Sequence, residues 1–200
     1  MAIEKLVADL SRGKPEPRPF FVWFFDKSDE KTNRRLEQSV FASPDATMFL
    51  LPFRRVKIDL DAVRDPALRE SHGPAPRFVI LDPPGREIGC LSGKRATSPN
   101  ATTAFLRKAW PTLFTFELEN YRKKMRKNLG REDSILGKES VIRAKRGRLK
   151  LKPSPKVSAR LDREATRLAE IRAAMEKERR EILALCLLRP ECRAPAPKKE

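Results

Sequence analysis

The sequence predicts an α/β domain, a central mixed sheet flanked by helices, continued by a basic helical C-terminal extension. Two apolar runs carry the first part of that prediction. Phe20–Phe25 is continuously apolar and aromatic, as suits a central strand covered on both faces, and residues 76–81 form a second run of the same kind. The third observation is the charge distribution. Residues 1–110 carry 19 basic and 14 acidic side chains, a net of +5, whereas residues 111–200 carry 25 and 13, a net of +12.

Each element follows from local chemistry. Ile3, Leu6, Val7 and Leu10 sit at helical spacing and predict a short opening helix ending near Gly13. Pro15, Pro17 and Pro19 then hold the chain extended into the first strand. Residues 29–41 read as a helix with Leu36, Val40 and Phe41 on one stripe, and residues 53–59 as a strand with one wetter face. Residues 66–71 hold a helical turn or two. After the strand at 76–81, Asp82-Pro83-Pro84-Gly85 is a tight turn, so residues 87–91 return as an antiparallel partner. Ser98-Pro99 starts a helix, a cap followed by proline at the first helical position, which runs through Phe105 and Leu106 toward Trp110.

The texture changes at Pro111. Residues 111–156 read as a basic, partly helical linker, punctuated by Gly130, Gly137 and Gly147. Residues 157–189 read as an amphipathic helix with coiled-coil character. Leu161, Leu168, Met175 and Ile182 recur every seven residues, with Ile171 and Leu185 at a second seam position that Glu164 and Glu178 interrupt. Such a stripe needs a partner: the domain, a second copy or another protein. Residues 190–200, rich in proline and lysine, are expected to be disordered.

Several pieces of residues 1–110 match one pattern. Pro19-Phe-Phe-Val-Trp-Phe-Phe25 leads into a helix ending Val40-Phe-Ala-Ser-Pro44; Val56-Lys-Ile-Asp59 follows; Ala75-Pro76 precedes the next apolar strand. In order and spacing this half of the chain resembles the thioredoxin-like superfamily. The resemblance implies a cis peptide bond before Pro76. It also places the family's two redox cysteines near Asp29 and Thr32, within Ser28-Asp29-Glu30-Lys31-Thr32. The family's reaction needs a thiolate at that helix start and a second cysteine one turn on. Aspartate and threonine supply neither, but Ser28 or Asp29 is a good helix cap, so no dithiol chemistry and no catalytic residue is expected.

Other residues add no catalytic set. Cys90, Cys186 and Cys192 have neither metal-ligand nor redox spacing, and His72 is the single histidine, so no cofactor or metal site is expected. No apolar run reaches the ~18–20 residues a membrane span needs, and residues 1–10 lack a signal peptide's apolar core. The expectation is a cytoplasmic protein. The aromatic cluster of residues 20–25 reads as core. Between Tyr121 and Lys156 lie 14 basic and three acidic residues. Arg122, Lys123, Lys124, Arg126, Lys127, Arg143, Lys145, Arg146, Arg148, Lys150 and Lys152 are the polyanion-binding candidates there.

Three functional readings follow. The first is a non-catalytic interaction module that docks on a protein partner or assembly through a groove near residues 28–32 and 74–76 and through its basic helical arm, with self-association as a further possibility. The second is a nucleic-acid- or ribosome-associated protein binding through residues 121–156. The third is a redox protein acting through Cys90 or a C-terminal cysteine.

Overall fold

The computed structural model describes residues 18–63, 66–70, 73–149 and 154–193. The helix expected within residues 3–13 lies outside them, as do His72, Lys150, Lys152 and residues 194–200. Among the described residues four strands form one sheet: β1 (Phe20–Phe25), β2 (Arg54–Asp59), β3 (Arg77–Leu81) and β4 (Glu87–Ser92), in the order β2-β1-β3-β4. β1 runs parallel to β2 and antiparallel to β3, and β3 and β4 form an antiparallel hairpin. After β1 come α1 (Glu30–Arg35), which widens into a π turn over Leu36–Val40, and α2 (Pro44–Leu50). A 3-10 turn over Leu60–Ala62 and α3 (Pro66–Glu70) link β2 to β3, and α4 (Pro99–Leu113) follows β4. This strand order, with these directions and flanking helices, is the thioredoxin topology.

β1 is unbroken in its apolarity because both its faces are covered. Phe20, Val22 and Phe24 pack with Val79 and Leu81 on one side. Phe21 and Trp23 meet Phe41 on the other, where Phe78 also touches Phe21 and Phe41. Phe20, Phe21 and Phe24 are at most 2% exposed, and burying each such side chain is worth about 1.5–3 kcal/mol. β2, at the sheet edge, alternates in burial, as its sequence predicts. Two helical features differ from expectation. α2 is an additional helix, started by Pro44 at its first turn and held by buried Met48, Phe49 and Leu50. α4, whose cap Ser98 accepts from the Ala101 amide at 3.4 Å, continues past Trp110 and through Pro111 to Leu113.

The chain divides into two compact units, one running to Leu118 and resuming at Cys186, the other spanning Glu119–Leu185. The first unit therefore exceeds the expected 1–110. Its late segment is tied in by backbone: Thr115 N–H donates to the Leu187 carbonyl and Arg189 N–H to the Leu113 carbonyl, each at 2.9 Å. Pro190–Cys192 forms a 3-10 turn, and Cys192 is 3% exposed. Arg86, whose Nε donates to buried Asp82 at 2.7 Å, also reaches the Glu191 carbonyl. Residues 190–193, expected within a disordered tail, are ordered because the edge of the first unit supplies these partners.

The second unit is a helical hairpin of α5 (Leu118–Leu149) and α6 (Pro155–Ala184). The expected linker over 111–156 is instead the end of α4, the whole of α5 and the start of α6, and the three glycines interrupt nothing. Ile135 and Ile142 of α5 cluster with Leu161, Leu168 and Met175 of α6, joined by Leu149. Outside this cluster, Glu132 pairs with Arg179, Glu139 with Arg172 at 3.1 Å and Arg146 with Asp162 at 2.5 Å, a register that fixes the helices as antiparallel.

Candidate functional site

The connection from β1 to α1 is a run of short polar side chains satisfying local backbone. Asp29 is the N-cap of α1, its carboxylate accepting from the Thr32 amide at 3.0 Å. Asp26 accepts from the Ser28 amide at 2.8 Å, and Asn33 donates to the Asp26 carbonyl at 2.7 Å. These bonds hold both carboxylates below their usual pKa: Asp26 through Ser28 first, Asp29 through Thr32 first. The positions matched to redox cysteines thus form one cap. Asp29 and Thr32 are joined to each other, the acceptor and donor ends of the same hydrogen bond.

An open groove of about 490 Å³ lies against Asp26, with Leu60, Asp61, Val63, Arg69 and Ala75 among its walls; it takes in Pro74 and Ala75 of the expected groove but none of residues 28–32. The Ala75–Pro76 peptide bond is cis, the isomer the resemblance implies, and Gly73 just before it takes a positive φ of 78°. Arg69 spans part of the groove to Asp61 at 2.7 Å. Two of these wall residues, Arg69 and Gly73, are held through their backbone by Arg77, which the sequence reading does not single out. Arg77, on β3, is fully buried; its guanidinium stands 4.6 Å from the Phe24 ring centre. Its Nη1 donates to the carbonyls of Arg69 at 3.3 Å and Gly73 at 3.4 Å. Burial lowers its pKa, yet an arginine stays charged at neutral pH. A charge at the first residue of an otherwise apolar strand is the signal that marks it.

The three cysteines stand elsewhere. Cys90 is on β4 opposite Val79, and burial pushes its thiol up to about 11. Burial pushes Cys186 up to about 12 and raises Cys192, whose Sγ donates to the Thr112 carbonyl at 3.4 Å. A thiol acts as a nucleophile through its thiolate, and each of these environments favours the neutral form.

In the helical hairpin, the expected partner stripe divides. Leu161, Leu168, Met175 and Ile182 are at most 4% exposed, whereas Ile171 and Leu185 face outward at 40% and 41%. The partner is α5 itself. Its matching repeat, Tyr121, Asn128, Ile135, Ile142 and Leu149 at seven-residue intervals, was legible in the sequence but hidden among charges. The second seam column on α6 holds Arg172 and Arg179, on the other side of the first column from Ile171. Of the polyanion candidates, Arg122 pairs with Glu119 at 2.8 Å and Arg146 with Asp162. Lys124 and Arg126 also make contacts within the chain. Lys123, Lys127, Arg143, Lys145 and Arg148 are exposed along α5. No helix among the described residues is long and apolar enough to cross a membrane, and no group of three or more potential metal ligands occurs among them.

No protein-family model matches the sequence, and no curated protein matches it. Solved structures similar to the chain include a thioredoxin from Thermus thermophilus, 22% identical over 52% of this chain and 80% of that one, with a TM-score of 0.39. Trxlp from Edwardsiella tarda EIB202 is 20% identical over 50% of this chain and 91% of its own, with a TM-score of 0.36. A disulphide isomerase from Xylella fastidiosa Temecula1 is 19% identical over 53% and 86%, with a TM-score of 0.38. The thioredoxin topology of the first unit stands on its own strand order and directions.

Proposed function

We propose that the first unit is a non-catalytic thioredoxin-like interaction module, binding an extended segment of a protein partner in the groove beside Pro76, with the helical hairpin as a second contact surface. The observation that carries this reading is the polar turn leading to the Asp29–Thr32 cap, whose Asp26 lines an open groove. The helix start is filled with side chains that satisfy backbone amides, and the turn before it opens onto the groove at Asp26. The raised thiol pKa values point the same way: at about 11, Cys90 is thiolate in roughly one molecule in ten thousand at pH 7.

The test has two arms. Purified protein should reduce insulin disulfides with dithiothreitol no faster than its triple variant Cys90→Ser, Cys186→Ser, Cys192→Ser; turnover that vanishes in the variant would restore the redox reading. A photoreactive residue at Asp61 or Glu70 should capture one common partner from native lysate. Filling the groove with Ala75→Trp should abolish that capture, and probes at Glu87 should not reproduce it. Capture that ignores Ala75→Trp would remove the groove from the function.

A further inference from the structure

We propose that the outer face of α5 is a docking strip for the phosphate backbone of duplex nucleic acid, independent of the groove. At 100° per residue, Lys123, Lys127, Lys138, Lys145 and Arg148 fall within about 80° of one another around the helix and extend along about 37 Å of it. All five are exposed, and none is ion-paired among the described residues. Four of the hairpin's acidic groups are engaged elsewhere, and exposed Asp133 of α5 lies about 60° outside the arc. Glu132 and Glu139 bond Arg179 and Arg172 across the seam, Glu178 bonds Arg131, and Asp162 bonds Arg146. No carboxylate of α5 falls in the lysine arc.

The same arc is low in relief. Gly130, Ser134 and Val141 lie within it and Gly137 beside it. A Cβ added at either glycine would meet nothing within 4 Å, so nothing among the described residues requires their small size. Glycine is poor in a helix interior, and here it leaves the backbone open to close approach between the cations.

Three features select the occupant. A membrane surface would call for large apolar side chains among the cations, and the arc offers Val141 alone. Single strands bind through exposed aromatic rings; the one aromatic of α5, Tyr121, is fully buried, and α6 has none. A protein interface would need buried anchor residues, which a row of lysines lacks. A row of point charges suits a regular line of phosphates. Because lysine ammonium groups do not read the 2′-hydroxyl or base edges, DNA and RNA duplexes should bind alike.

Fluorescence anisotropy with the full chain and 24-base-pair duplexes of unrelated sequence tests this. Five phosphate contacts give a slope of about −4.5 in log affinity against log salt, a loss of about 500-fold between 50 and 200 mM. Lys123→Glu, Lys127→Glu, Lys138→Glu and Lys145→Glu together should weaken every duplex more than 100-fold. A charge-matched control on the first unit, Lys31→Glu, Lys94→Glu, Arg95→Glu and Lys108→Glu, should cost less than fivefold. The milder Lys→Gln set at the four α5 positions, with helicity checked by circular dichroism, should still flatten the slope by about 4. Equal losses in both reversal sets, a preference for single strands, or binding to phosphatidylserine vesicles without duplex binding would each overturn the proposal.

Discussion

The Asn128 carboxamide donates at 3.0 Å to the Met175 carbonyl from within the α5–α6 seam. The same carboxamide lies 3.1 Å from Glu178 and accepts from Arg179 Nε at 3.0 Å, and Arg131 donates to Glu178 at 2.6 Å. One buried polar residue thus joins two helices through a network that no shifted register would satisfy. Asn128→Ala should destabilise the protein by about 2 kcal/mol, because it leaves neighbours without their bonds. Asn128→Leu should cost less by filling the seam. Thermal melts followed at 222 nm separate the two; an equal cost would mean that packing, not the network, matters there.

Gly130 and Gly137 have open space where a Cβ would stand. Gly130→Ala and Gly137→Ala should each stabilise α5, by about 1 kcal/mol. Urea denaturation of the double variant should show a raised midpoint with an unchanged slope. A lowered midpoint would show that the glycines serve the fold after all.

The Asp29 cap predicts a pH response. Its pKa is lowered by the Thr32 bond, so the stabilisation is full above the ordinary value of 3.8 and is lost as pH falls through the lower folded value. Amide exchange at Thr32 should therefore accelerate on acidification below about pH 4, relative to amides of β3. Asp29→Asn should keep the cap and remove the pH dependence, and Asp29→Ala should fray α1 at every pH. Acid-sensitive exchange that persists in Asp29→Asn would assign it to Asp26.

Arg77 ties β3 to the backbone of residues 69 and 73. Arg77→Ala should lower stability by about 3 kcal/mol, combining lost charged hydrogen bonds with an unfilled space. Limited proteolysis should then cut within residues 60–75 before any strand. Arg77→Lys should not rescue, since an ammonium lacks the delocalised plane that packs 4.6 Å from the Phe24 ring centre and, being more strongly hydrated, costs more to bury. Full rescue would reduce the role to charge alone.

Much of the first unit was legible because its signals are local. The apolar runs of β1 and β3, the Asp82–Gly85 turn and the Ser98-Pro99 cap each specify their element within a few residues. The cap at Asp29 is legible for the same reason. What escaped depends on distant partners. α2 is a short helix whose existence rests on burying Met48, Phe49 and Leu50. α5 carries a heptad repeat in which one member is Asn128 and the charges around it dominate any apolar count. Residues 186–193 have almost no intrinsic pattern and gain order from Leu113 and Thr115, more than seventy residues earlier. The groove coincides with the expected one only at Pro74 and Ala75, and its Arg69 wall and the Arg77 bonds behind it are contacts that a linear reading does not contain.

The return of the chain to Leu113 and Thr115 after Leu185 sets a timetable for synthesis. Residues up to Leu118 leave the ribosome first, yet their edge is completed only when Leu187, Leu188 and Cys192 have emerged. At about 5–20 residues per second, the segment at Leu113–Thr115 waits several seconds for its partners. During the interval α5 and α6 can pair, and an antiparallel hairpin brings its own two ends together. It thereby converts closure across a long flexible loop into closure across a short gap. The inserted hairpin is in this sense a folding jig for the domain that encloses it in sequence.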